Sequence, residues 1–148
     1  MRAVVQRVKS ASVAAGGRTI AEIGKGLLVF LGIEDTDETN DCDYICEKVL
    51  GLRIFDDENE KMNLSVLDTG GSVLLVSQFT LCGDARKGRR PSFIKAAVPE
   101  KAVSLYEYAI RCLSGRISLQ TGEFREHMEV SLVNDGPVTI LLESKRLF

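Results

Sequence analysis

Ser77, Gln78, Phe79 and Thr80 bring two hydroxyls, an amide and an aromatic ring to the end of the most apolar strand-like run in the chain, Ser72-Val73-Leu74-Leu75-Val76. A hydroxyl at a strand end can act as a nucleophile, and backbone N–H groups there are free to bind something other than a neighbouring strand. If the strand continues, Phe79 and Leu81 extend the face of Val73 and Leu75, while Gln78 and Thr80 take the face of Leu74 and Val76. Nucleophilic catalysis also needs a base beside the hydroxyl. No Gly-x-Ser-x-Gly elbow occurs, and the one histidine, His127, lies beside Glu126 and close to Glu129 and reads as a surface residue.

Two further segments carry possible chemistry. Arg86, Lys87, Arg89 and Arg90, with Lys95 nearby, lie in a stretch too poor in apolar residues to pack as a regular element. Such a loop is either a solvated charge run or a contact for several phosphates of a nucleic acid. Asn134-Asp135-Gly136-Pro137 reads as a turn between two strands. An X-Pro bond is held cis for only about 0.5–1 kcal/mol, and a cis bond can point two carbonyls, which only accept hydrogen bonds, toward one ammonium group. Cys42 and Cys46 share a helix face, but with one histidine and two distant thiols besides, no metal site is expected. No glycine-rich phosphate loop is present, and no cofactor is expected.

The elements that must position these residues follow from periodicity. Arg2 to Val8 alternates as a strand, and Ala11 to Ala15 reaches Gly16-Gly17 before Arg18-Thr19-Ile20, the pattern of a tight hairpin. Gly26 to Ile33 is apolar throughout, as a strand covered on both faces would be. Cap-type residues at 35–39 precede Cys42, Ile45, Cys46, Val49 and Leu50 at helical spacing, and Val98-Pro99 opens a second helix that Gly115 ends. Between them, Leu52 to Phe55 reads as a short strand and Met62 to Leu67 as an edge strand. Met128 to Val133 and Val138 to Leu142 read as a closing hairpin.

The order predicts an α+β class, with antiparallel or mixed sheet and two main amphipathic helices in a single domain, 1–148. With 19 basic and 21 acidic residues the net charge is -2, so any polyanion must be met by a local patch. No run approaches the ~20 apolar residues of a membrane span, and the first residues begin as a strand without a signal-peptide core, so a cytoplasmic protein with reduced thiols and no membrane partner is expected.

Four motifs together resemble the D-aminoacyl-tRNA deacylases of the D-Tyr-tRNA deacylase type: Met1-Arg2-Ala3-Val4-Val5-Gln6-Arg7-Val8, Ser77-Gln78-Phe79-Thr80-Leu81, Arg90-Pro91-Ser92-Phe93 and Asn134-Asp135-Gly136-Pro137-Val138-Thr139. The resemblance covers essentially the whole chain. It implies a barrel-like homodimer with sites at the interface, each joining the Ser77, Gln78, Phe79, Thr80 segment of one subunit to a cis Gly136-Pro137 of the other. The implied reaction is hydrolysis of the ester of D-aminoacyl-tRNA, and of mischarged glycyl-tRNA, with L-aminoacyl groups rejected. Either backbone N–H groups near Phe79 and Thr80 with the tRNA 2′-hydroxyl, or Thr80 as nucleophile, would carry it. Arg7 is expected to hydrogen-bond the Gly136-Pro137 segment. Departures are Arg125 and Glu126, where the family has small residues, and Glu60, where it commonly has glycine. The rival readings are a non-enzymatic nucleic-acid-binding dimer of the same fold and a small-molecule esterase using Thr80 or Ser77.

Overall fold

The computed structural model describes residues 1–148. The two N-terminal runs form one long strand, β1 (Arg2–Ala15), because the exposed Ser10 between them still pairs, opposite Val133, and only Lys9 is skipped in the register. It turns through Gly16-Gly17, both at positive φ as the hairpin requires, into β2 (Arg18–Ile23). The chain then enters β3 (Gly26–Gly32) and helix α1 (Thr39–Gly51), whose buried face is the one the spacing predicts.

After α1 the regular structure is shorter than expected. Leu52 is occupied in closing the helix, its N–H bonded to Lys48 O, so strand β4 is confined to Phe55–Asp56. Its partner β5 (Met62–Leu64) ends where Asp68 Oδ2 accepts both the N–H and the hydroxyl of Ser65, turning the chain before Leu67. Strand β6 (Ser72–Ser77) is followed by a 3-10 turn, Phe79–Cys82, and then by the exposed basic loop. Helix α2 (Pro99–Leu113) has Pro99 in its first turn, and Gly115 lies just beyond its end. A short strand the periodicity does not reveal, β7 (Ser118–Thr121), comes next.

The expected closing hairpin is absent. Residues Glu129–Glu143 are one strand, β8, and both halves pair antiparallel with β1. Asn-Asp-Gly-Pro here makes a bulge rather than a turn, because β1 is long enough to offer partners on either side of it.

The sheet runs β2-β1-β3-β6-β7, with β8 on the other side of β1; β3–β6 and β6–β7 are parallel and the remaining pairs antiparallel. Because β2 curls round toward β6 and β7, this mixed sheet is barrel-like. Its interior holds Val8, Val13, Leu28, Leu74 and Val76, while the other face packs Val5, Val29, Val73 and Leu75 against Ile45, Val49, Tyr106 and Leu113 of the helices. β6 is thus covered on both faces, and Tyr106 OH anchors α2 to it by donating to Leu75 O at 2.9 Å. No helix is long and apolar enough to cross a membrane.

Candidate active site

The polar stretch after β6 does not continue as a strand, so Phe79 and Leu81 do not extend the face of Val73 and Leu75. Gln78 N–H still bonds Leu31 O at 2.8 Å, as the ladder demands, but Leu81 N–H then turns back to Gln78 O at 3.2 Å and the chain coils. Gly32 permits this. A Cβ there would lie 2.8 Å from Leu81 Cβ and 2.9 Å from Gln78 O, so only glycine lets the turn close over the end of β3. Arg2 Nη1 holds the far side of the turn by donating to Leu81 O at 2.9 Å.

The turn has two consequences. Phe79 and Thr80 open it, and the first amides of a helical turn have no carbonyl behind them in the helix. The Phe79 ring is also turned out, 59% exposed, and meets Phe93 edge-on with centroids 5.1 Å apart. Gln78 Nε2 donates to Thr80 Oγ1, so the Thr80 hydroxyl has an amide for its neighbour and no base.

Ser77, Gln78 and Phe79 line one cavity of about 510 Å³, within the usual range for small-ligand sites. Leu31, Val76 and Ala102 give it apolar walls. The lining also includes Phe124, Arg125, Glu126, His127 and Met128, from the segment joining β7 to β8. The sequence does not assign that segment to the site; Arg125 and Glu126 stand out in it only as departures from the family pattern. His127 is exposed, as expected of a surface histidine, yet it borders this cavity; it makes no hydrogen bond to Ser77 or Thr80. Thr80 is exposed beside the cavity rather than in its lining.

Gly136-Pro137 is elsewhere on the subunit. Its peptide bond is cis, and both residues are exposed on the β8 bulge, outside the cavity. In the β1–β8 register Gln6 faces Thr139 and Val8 faces Asn134, so Asp135, Gly136, Pro137 and Val138 all stand opposite Arg7. Gln6 and Arg7 brace this excursion. Gln6 Oε1 accepts from Asn134 Nδ2 at 2.9 Å and from the Thr139 hydroxyl, and Asn134 Oδ1 accepts Val138 N–H at 3.3 Å. Arg7, 6% exposed, donates through Nε to Asp135 O at 3.1 Å and through Nη1 to Ile54 O at 2.7 Å. At Gly136, with φ +128°, a Cβ would fall 2.8 Å from Val138 Cγ2 and 3.2 Å from Arg7 Nη2.

The basic loop is pinned at its base by paired backbone hydrogen bonds between Asp84 and Ser92. Arg86 is tied to Asp84, whose carboxyl its hydrogen bonds hold well below the usual carboxylate range, whereas Lys87, Arg89 and Arg90 are exposed and without a carboxylate partner. None of the four lines the cavity. The two departures from the family pattern share a backbone feature: Glu60 and Arg125 have φ of 58° and 68°, in the left-handed region that glycine occupies most easily.

A family profile described as D-Tyr-tRNA(Tyr) deacylase matches residues 4–143. D-aminoacyl-tRNA deacylases of Thermosipho africanus and Koribacter versatilis are 56% and 58% identical to this chain, over the full length of both proteins in each case. Among solved structures, the c-Myc DNA unwinding element binding protein superimposes with a TM-score of 0.92 at 41% identity, covering 97% of this chain and 98% of its own. A probable eukaryotic D-amino acid tRNA deacylase, 16% identical, shares the fold with a TM-score of 0.78 over 95% of this chain and 97% of its own. The chain belongs to the D-Tyr-tRNA(Tyr) deacylase family.

Proposed function

We propose that this chain is a D-aminoacyl-tRNA deacylase, hydrolysing the ester between a D-amino acid, or glycine, and the terminal adenosine of tRNA. The observation that carries the reading is the coiled end of β6, which presents Ser77, Gln78 and Phe79 to a cavity and opens its turn with the amides of Phe79 and Thr80. Water adds to the ester carbonyl, the oxyanion is stabilised by those amides, and the bond to the ribose oxygen breaks to give free amino acid and tRNA. The terminal 2′-hydroxyl of the tRNA activates the water. Thr80 is not required as nucleophile, which agrees with its amide neighbour.

The working enzyme is a homodimer in which Gly136 and Pro137 of the partner subunit complete each site. Support comes from β8, where Leu132, Val133 and Leu141 are exposed apolar side chains on either side of the exposed Gly136-Pro137. The two carbonyls bind the α-amino group and crowd one side of the α-carbon, so an L side chain collides while a D side chain or a glycine hydrogen does not. Lys87, Arg89 and Arg90 contact tRNA phosphates outside the cavity.

The likeness to a DNA unwinding element binding protein favours a second reading, nucleic-acid binding without turnover. One experiment separates the two: incubation with D-tyrosyl-tRNA and with glycyl-tRNA, following amino-acid release, beside binding of labelled duplex DNA. Release from both esters is expected. Duplex binding with both esters intact would replace the first reading by the second.

A further inference from the structure

We propose that Arg125 is a specificity residue that grips a backbone phosphate of the substrate's single-stranded 3′ end as the last nucleoside enters the cavity. The proposal rests on the deacylase reading for the identity of that strand, and on the following geometry for the contact. Arg125 lines the same cavity as Ser77, Gln78 and Phe79 and is itself exposed, which sets it at the opening. Its guanidinium is free. Like Arg89 and Arg90 of the basic loop, and unlike Arg2, Arg7, Arg86 and Arg116, it has no carboxylate within ion-pair distance, although Glu126 is its neighbour in the chain.

The backbone adds an independent argument. Arg125 is held at φ 68°, where the Cβ of an ordinary residue is crowded. The turn is fixed on both sides: Phe124 packs on the Tyr106 ring at 5.8 Å, and Glu126 N–H bonds back to Glu123 O at 3.4 Å. Glycine would satisfy that turn without crowding, so the side chain, not the turn, accounts for an arginine there. Strain retained beside a cavity points to use of the strained residue.

The ligand class follows from size and chemistry. A cavity of about 510 Å³ with apolar walls from Leu31, Phe124 and Met128 takes one nucleoside, not a paired helix. The phosphate preceding that nucleoside must then lie at the opening, where a guanidinium offers a planar fork suited to its oxygens. Glu126 at the same rim opposes the anion.

Two measurements test this with Arg125→Gly, a substitution the left-handed backbone accepts. In the first, a fluorescein-labelled oligoribonucleotide ending in CCA is titrated across a salt series. The variant should bind about tenfold more weakly at low salt, and its salt dependence should be shallower by about 0.7 in log K against log salt, the value of one single-strand phosphate contact. Glu126→Gln should bind more tightly than the parent. In the second, the ratio of kcat/KM on D-tyrosyl-tRNA to that on D-tyrosyl-adenosine, which lacks upstream phosphates, should fall about tenfold. Unchanged affinity and salt slope in Arg125→Gly overturn the proposal. Failure of the parent protein to release D-tyrosine removes the deacylase reading instead, and the oligonucleotide titration still decides the phosphate contact.

Discussion

Arg7 carries its charge at 6% exposure, and what holds it there is a pair of main-chain acceptors, Ile54 O and Asp135 O, with Asp56 and Asp135 carboxylates at 3.7 and 3.5 Å. Arg7→Ala strands both carbonyls, so a loss of about 2–4 kcal/mol is expected from urea midpoints. Because Asp135 precedes Gly136, the variant should also lose at least about tenfold in its preference for D- over L-tyrosyl-tRNA. An unchanged preference would make Arg7 a structural brace only. Arg125 behaves in the opposite sense. A left-handed L-residue costs roughly 1–2 kcal/mol, and glycine's extra chain entropy returns part of that, so Arg125→Gly should gain about 0.5–1 kcal/mol in stability while losing affinity for RNA. A destabilised variant would show that the φ of 68° is not strained.

Among the elements, α1 begins with a reciprocal cap in which Asp41 Oδ2 accepts Glu38 N–H at 2.8 Å, while Asp41 Oδ1 accepts the Ser144 hydroxyl at 2.6 Å and sits 3.2 Å from Lys145 Nζ. Burial pushes the Asp41 carboxyl up, but the bonds from Ser144, Glu38 and Lys145 outweigh it and hold the folded pKa below the ordinary 3.8. Its contribution is therefore present above that ordinary value and is lost as pH falls through the lower folded one. Asp41→Asn should cost about 1–2 kcal/mol at neutral pH, with the difference from the parent shrinking once pH drops below 3.8. A gap that stays constant into acid would deny the carboxylate this role. The helices were legible because their signals are local: Cys42, Ile45, Cys46, Val49 and Leu50 repeat at helical spacing, and Pro99 marks a start. The end of β6 was not, because the reason it coils is Gly32 on a neighbouring strand. Nor was β8, since Asn-Asp-Gly-Pro signals a reversal equally well as a bulge, and only the length of β1 decides between them.

At the scale of the whole molecule, burial on both sides of the sheet fixes the state of the thiols. It pushes Cys42 up to about 12 and Cys82 up to about 11, and raises Cys46 further, so none is a thiolate at pH 8. A thiol reagent at that pH should modify at most the half-buried Cys112 in the folded protein and all four cysteines in denaturant; rapid native labelling of two or more would contradict the packing. The α+β class and mixed sheet could be read from element order, whereas β7 could not, because Ser118 to Thr121 is short and apolar only at Leu119. The site divides in the same way. Ser77, Gln78, Phe79 and the bulge at Gly136-Pro137 stand out as motifs, but the wall at 124–128 is assembled only when β7 leads the chain back past β6. Whether this arrangement removes D-amino acids from tRNA without a side-chain nucleophile is decided by single-turnover release from D- and L-tyrosyl-tRNA by the parent chain and Thr80→Ala. Fast release of the D ester alone is expected from both proteins. Release of the L ester at a comparable rate, or abolition of D release in Thr80→Ala, would contradict that expectation.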